Sequence, residues 1–308
     1  MQVEVSRRAV LAGGVTVALF GLDSPSSARS HSGSEIVLSE DAPLGEMGEF
    51  DANHLGPPAS RAPRGPFVFP ADADSDVLYG IDISHWTKEV PWSGLKGARV
   101  NYVYIKASQS ARARDGMFEA HWASAKHHGV PRGAYHWLTP GVPGTQQGEY
   151  FVSRLRAGGG LAKGDMQPVI DLEWDFLGKE FRRTPVGGGR FKDYWSDHSA
   201  TAIATEVNAC VAAVKKGFPG LALRPIIYTN RSWWDERLTP STRFDAPVWL
   251  ADYRQKSYEQ QIPRLIAGHD YNLWQFTEKG SILVAGKRFG PFDCNKIIKG
   301  DLTKLIIV

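Results

Sequence analysis

Only two cysteines, Cys210 and Cys294, occur in 308 residues, so this chain is not a small disulfide-stapled scaffold and must rely on an apolar core. One bridge or two buried thiols are both compatible with that count. No apolar run reaches the roughly 20 residues that a membrane-spanning helix needs. Charge of one sign is also lacking: 36 Lys and Arg against 33 Asp and Glu leave a net +3, far from the clustered basic footprint of a nucleic-acid binder. His121, His127 and His128 share a predicted helix, but no carboxylate stands at the spacing of a zinc motif. Gly187-Gly188-Gly189 lacks both the Lys and the strand-before, helix-after setting of a phosphate loop. Neither a metal nor a cofactor is expected. What is plentiful is apolar surface: 42% hydrophobic residues and ten tryptophans suffice for one large core.

The chain opens with Ser6-Arg7-Arg8-Ala9-Val10-Leu11, an apolar run to Leu22 and the small residues Ser26-Ser27-Ala28. This order reads as a twin-arginine export signal over residues 1–28, removed on the way to a periplasmic or extracellular location. Residues 29–76 are rich in Ser, Pro, Gly, Asp and Glu without sustained periodicity, and read as a disordered linker. The folded domain is expected over residues 77–308.

Within that domain, short β-branched and aromatic runs alternate with longer amphipathic segments, which predicts parallel strands separated by helices and favours an α/β barrel. Strands are predicted at Leu78 to Ser84, Asn101 to Ala107, Gly133 to Leu138, Met166 to Glu173, Pro225 to Thr229, Val248 to Asp252 and Tyr271 to Phe276, with a last one reaching Asp293. Helices are predicted at Asp115 to His128, Thr145 to Arg156 and Ser199 to Gly217, with Asp115 and Thr145 as caps and Gly129 and Gly158 as left-handed stops. The Gly-rich insertion from Phe176 to His198 follows directly on the Glu173 strand and reads as a substrate-side loop.

Residues two apart on a strand share a face, so Asp171 and Glu173 in Val169-Ile170-Asp171-Leu172-Glu173 point the same way. Barrel enzymes place their chemistry at strand C-termini, and Asp82, Asp252 and Asp293 occupy comparable positions. One such acid alone reads as structural, but five together predict a site. Glycosidic cleavage needs a protonated acid at the leaving oxygen and a negative group near the oxocarbenium-like centre. Like charges and an apolar neighbour such as Trp174 raise one carboxyl's pKa; lifting a Glu from about 4.3 to about 6 costs on the order of 2 kcal/mol. Glu173 is the candidate acid and Asp171 its partner. Flat rings at strand ends can stack on sugars: Trp86, Trp137, Trp174, Trp249 and Trp274 adjoin predicted strand ends, with Trp249 and Trp274 taken as groove residues and Trp92 and Trp122 as loop or helix packing. His136 reads equally as a site residue or as a hydrogen-bonded barrel histidine.

These residues resemble the family 25 glycoside hydrolases, the Chalaropsis-type lysozymes. The resemblance runs from Tyr79 to the end of the chain. It rests on Tyr79-Gly80-Ile81-Asp82-Ile83-Ser84, Val103-Tyr104-Ile105-Lys106-Ala107-Ser108, Gly133-Ala134-Tyr135-His136, the Asp171/Glu173 strand, Ile227-Tyr228-Thr229-Asn230, Trp249-Leu250-Ala251-Asp252-Tyr253, Trp274-Gln275-Phe276 and Phe292-Asp293-Cys294-Asn295. The resemblance implies an irregular TIM-like barrel with eight strands and fewer than eight helices. It also implies cleavage between N-acetylmuramic acid and N-acetylglucosamine in peptidoglycan, with Glu173 as acid. Asp171 would orient the substrate's own acetamido group, Tyr135 would lie near that group, and Asp82, Asp252 and Asp293 would support. Two other readings stand beside it: a wall-binding module that keeps the fold without chemistry, and a metal-dependent polysaccharide deacetylase.

Overall fold

Alternate residues on the long strands divide between two environments. Tyr102, Tyr104, Val169, Ile226, Tyr228, Trp249 and Leu273 form one buried cluster, whereas Val103, Ile105, Ile170, Leu172, Ile227 and Leu250 belong to a second that also contains the helical side chains. Two buried faces with a separate cluster on each belong either to an open sheet covered on both sides or to a barrel, and the pairing of the last strand with the first closes this one. The first cluster is the inside of a barrel, and the second is the layer between barrel and helices.

The computed structural model describes residues 35–38, 67–69, 76–87, 89–175, 184–187, 190–253, 263–266, 268–298 and 302–308. Before the barrel come two short strands, β1 (Ile36–Leu38) and β2 (Phe67–Val68). The first half of the barrel follows as β3 (Val77–Ile83), β4 (Val100–Gln109), a short β5 (Ala113–Asp115), α1 (Phe118–His127), β6 (Arg132–Trp137), α2 (Gly144–Ala157) and β7 (Val169–Leu172). A hairpin of β8 (Thr184–Gly187) and β9 (Arg190–Lys192) precedes α3 (Ala200–Gly217), β10 (Ile226–Asn230), α4 (Arg231–Arg237) and β11 (Val248–Ala251). The chain ends with β12 (Leu273–Val284), β13 (Lys287–Ile298) and α5 (Leu302–Leu305). Neighbours run β3-β4-β6-β7-β10-β11-β12-β13 and back to β3, an eight-stranded closed barrel with five helices among the described residues. All neighbours are parallel except at β13, which is antiparallel to both β12 and β3. The last strand therefore departs from the parallel order expected. It returns through the turn between Val284 and Lys287, and hydrophobic alternation carries no information on direction.

Helix ends differ in detail from the predicted caps. Asp115 lies in β5, and its Oδ1 accepts from the Met117 amide rather than opening a helix. α2 begins after Pro143, with its first amide bound by Glu206 of α3. The side-chain cap is on α3, where Ser199 Oγ accepts from Ala202 N at 3.1 Å. Gly129 takes the predicted left-handed conformation (φ 60°), but after α2 that conformation falls at Gly159 (φ 101°) instead of Gly158.

Two pieces of the expected linker are folded onto the barrel. Ile36, Val37 and Leu38 pair in parallel with Ala113, Arg114 and Asp115. Glu35 bonds the Tyr150 hydroxyl at 2.7 Å and pairs with Arg114 and Arg154 at 3.2 and 3.0 Å. β2 adds to β12 at Gly280 and Ser281, and Phe67 and Phe69 bury their rings against Tyr79, with Phe67 also edge-on to Phe276 at 4.9 Å. Each buried Phe contributes about 1.5–3 kcal/mol. Three alternating residues between Pro66 and Pro70 are too few for periodicity to register against a polar, proline-rich background.

The barrel's interior is filled by pairing the smallest residue with the largest. A Cβ on Gly80 would overlap the Tyr102 ring, and one on Gly133 the Tyr104 ring. Tyr104 has no room to yield, since its ring lies 4.8 Å from that of Trp249 and its hydroxyl reaches the Gln167 carbonyl. Gly133→Ala is therefore expected to lose about 1–3 kcal/mol in urea unfolding. Gly220→Ala, where nothing stands within 4 Å of the added carbon, is the matched control.

Candidate active site

On β7 the inward residues are Val169, a member of the interior cluster, and Asp171; Ile170 and Leu172 face the outer layer. Glu173 follows one residue beyond the strand's end, and both acids are 4% exposed. A third acid, Asp175, is also buried and receives the Tyr194 amide at its carbonyl. Facing them from β4 is Lys106, 1% exposed, with Nζ 3.0 Å from Gln109 Oε1 and 4.7 Å from the Trp137 ring. Burial lowers the Lys106 pKa to about 8, against the opposing pull of Asp115, Asp171, Glu173 and Asp175. One buried ammonium thus stands in the field of four carboxylates.

Asp82, on the neighbouring β3, is held differently. Its oxygens accept from Asn295 Nδ2 at 2.7 Å and from Gln275 Nε2 at 3.0 and 3.1 Å. Gln275 Oε1 in turn accepts from the hydroxyls of Tyr228 (2.7 Å) and Tyr253 (2.6 Å), and Asn295 Oδ1 from Trp249 Nε1 (2.9 Å). Each amide has its oxygen toward ring donors and its nitrogen toward the acid, so the network fixes Asp82 from below. Asp293 sits across from Asp82 in the β13–β3 register. Tyr135, inward on β6 opposite Lys106 and Val169, has its phenol pKa pushed up by burial, then by Asp82, Asp171, Asp115 and Asp293. It keeps its proton beside these acids and can donate it in a hydrogen bond.

The structure thus brings Asp82, Tyr135, Asp171, Glu173 and Asp293 to one end of the barrel. Four other expected site residues lie elsewhere or are otherwise engaged. Trp249 is inside but deep, its ring 4.8 and 5.0 Å from those of Tyr104 and Tyr228; it is floor rather than groove. Trp274 is on the opposite face of β12 from Gln275, buried in the outer layer beside Phe276 with the Lys296 ammonium 4.9 Å above it. Asp252 receives Nε and Nη2 of Arg264 at 3.0 and 2.6 Å and the Arg264 amide at 2.7 Å, so it closes a loop.

His136 points outward, with Nδ1 2.8 Å from Ser108 Oγ and its ring stacked on Phe151 of α2. Burial lowers its pKa to about 3, so it stays neutral through any working range. Because an unfolded His titrates near 6.5, this group's contribution is complete above that value and is lost as pH falls toward the folded value. Stability is expected to drop by about 1.4 kcal/mol per pH unit from this residue below about 6.5. Urea titrations at pH 7 and pH 5 should show that loss shrinking in His136→Gln.

Residues that strand ends alone did not reveal include Lys106, Gln275, Asn295 and Tyr228, all inward by strand parity. A second group is the pair at the end of β3: His85 donates its amide to Asp115 Oδ2 at 2.9 Å, with Nδ1 2.7 Å from the same oxygen.

The insertion after Glu173 is anchored as well as placed. Residues 176–183, 188 and 189 lie outside the described residues. After the β8–β9 hairpin, Asp193 and Ser196 form a reciprocal capping box around a 3-10 turn. That turn buries Trp195, whose Nε1 donates to the Glu173 carbonyl at 2.9 Å and whose ring meets Trp233 edge-on. Trp195 belongs to the support beneath Glu173.

Residues 81–284 match the model of the glycosyl hydrolases of family 25. Lysozyme M1 of Streptomyces globisporus is 29% identical over 240 residues, covering 76% of this chain and 72% of that protein. The N,O-diacetylmuramidase of Chalaropsis sp. is 27% identical over 208 residues, 65% of this chain and 87% of its own. The crystal structure of a bacterial lysozyme from Streptomyces coelicolor superposes with a TM-score of 0.59 at 28% identity, covering 75% of this chain and 96% of that one. With the family model spanning the barrel from β3 to the end of β12, and the acids gathered at one end of it, this chain belongs to the glycosyl hydrolases of family 25.

Proposed function

We propose that this glycoside hydrolase cuts peptidoglycan at the β-1,4 bond between N-acetylmuramic acid and N-acetylglucosamine. The observation that carries the reading is the pairing of Asp171 on β7 with Glu173 just past its end, at the same end of the barrel as Tyr135. Glu173 protonates the leaving glycosidic oxygen. Asp171 orients the substrate's acetamido group and balances the charge that develops as its oxygen closes on the anomeric carbon, and Tyr135 donates a hydrogen bond to that group. Water then opens the cyclic intermediate and returns the proton to Glu173. Asp82, fixed by Asn295 and Gln275, and Asp293 beside it complete the acidic wall.

The alternative of a binding module has less support, because it gives no reason to hold these acids at one mouth. Among the described residues no three His, Cys, Asp or Glu side chains are grouped to hold a metal ion, which leaves the deacetylase reading without a ligand set among them. The similarity to lysozymes supports a wall polymer as partner, and the net charge of +3 lacks the concentrated basic footprint of a nucleic-acid binder. The Arg7-Arg8 leader lies outside the described residues; it supports export by the twin-arginine route, and no described helix is long and apolar enough to cross a membrane. Mass spectrometry of fragments released from purified peptidoglycan tests the activity. New reducing ends on muramic acid are expected, and new ends on glucosamine would overturn the bond assignment.

A further inference from the structure

Among the described residues, which include all ten tryptophans, Trp86 alone is exposed, at 44%. An exposed aromatic ring is unremarkable by itself; this one sits on a rigid base beside the acids. It follows the end of β3, four residues after Asp82, in a tight turn where the Trp86 amide donates to Ser84 Oγ at 3.3 Å and the Thr87 amide to the Ser84 carbonyl at 2.9 Å. Its ring lies 4.9 Å from that of His85, which Asp115 grips at both amide and Nδ1. Asp115 is wholly buried, and its second oxygen holds the Met117 amide. The same Asp115 carboxylate acts on Lys106 and Tyr135, as do Asp171 and, at Lys106, Glu173. Trp86 therefore stands at the acid-bearing end of the barrel.

The geometry points to a carbohydrate-stacking subsite, in which the exposed indole of Trp86, braced by His85 and Asp115, receives the apolar face of an N-acetylhexosamine ring next beyond the two that flank the cleaved bond. This rests on the hydrolase reading above. A pyranose presents C–H bonds on its faces and hydroxyls at its rim, so a flat ring covers the first without competing for the second. A polysaccharide also extends past the two sugars that flank the broken bond, so further rings must cross the rim of the barrel. An indole immobilised before binding loses little freedom when a sugar docks. Stacking of this kind acts equally on bound substrate and transition state, and so acts on KM.

Steady-state kinetics of the full-length protein on solubilised peptidoglycan fragments provide the test. Trp86→Ala is expected to raise KM on the order of tenfold with kcat within about twofold, and Trp86→Tyr to restore KM to within about threefold of wild type. An unchanged KM in Trp86→Ala, or a fall in kcat at unchanged KM, would overturn the subsite while leaving the hydrolase reading intact. If wild type releases no reducing ends, the hydrolase reading falls and takes the subsite with it. Unchanged thermal unfolding of Trp86→Ala verifies that the effect is local and does not come from loss of the ring contact with His85.

Discussion

Glu173→Gln is expected to reduce release of reducing ends from peptidoglycan by about 10³-fold, within the 10²–10⁴ that a positioned general acid contributes. Gln matches Glu in size but has no proton to give to a leaving oxygen. The fold should not notice the change: the bond that ties this residue to the insertion runs from Trp195 Nε1 to the backbone carbonyl of Glu173, which Gln retains. Loss should therefore appear in kcat with KM within a few-fold, the signature of an interaction made in the transition state. A reducing-end assay with matched urea denaturation curves checks it. Residual activity within tenfold of wild type would remove Glu173 from the acid role. Asp171→Asn then becomes the next variant, because Asp171 is the inward acid of β7.

Strand parity made β7 legible: the apolar pair Ile170 and Leu172 on one face and the acid pair on the other is a two-residue period anyone can read. The same rule, carried to β6 and β12, places the residues that strand-end position alone misassigns. Tyr135 is inward, so His136 must be outward, against Phe151. Gln275 is inward, so Trp274 must face the outer layer. Parity on β4 likewise joins Lys106 to Tyr102 and Tyr104 on the inner face, where burial and the acids act on it. Other features had no local signal. Asp252 is engaged by Arg264, twelve residues on and beyond a strand end. β1 and β2 are three- and two-residue strands whose pairing partners lie far along the chain. The reversed β13 shares its alternation with any parallel strand, and only the turn before it decides direction.

Arg237→Met is expected to destabilise the protein by about 3–5 kcal/mol, because it leaves one half of a buried ion pair in place. Arg237 reaches Asp193 Oδ1 through Nε at 3.0 Å and Nη2 at 2.9 Å, also binds Ser196 Oγ at 3.1 Å, and lies over the Trp174 ring at 4.9 Å. Burial raises the Asp193 pKa even with Arg237 beside it, since desolvation outweighs the guanidinium and the hydrogen bonds from the Asp175 amide and Ser196. Removing the guanidinium raises it further. A carboxyl whose folded pKa exceeds its unfolded one costs stability as pH rises above the unfolded value. The deficit of Arg237→Met relative to wild type should accordingly be largest near pH 7 and shrink toward pH 4, where Asp193 can take up a proton. Adding Asp193→Asn should recover at least about half of it at pH 7, because the stranded charge is gone and the side chain still bonds Ser196. Activity should follow stability in these variants, since the Asp193 turn seats Trp195 under the Glu173 carbonyl. Urea unfolding at the two pH values decides it: equal deficits at pH 4 and pH 7 would mean that lost packing on Trp174, and not the stranded Asp193 charge, is what the substitution exposes.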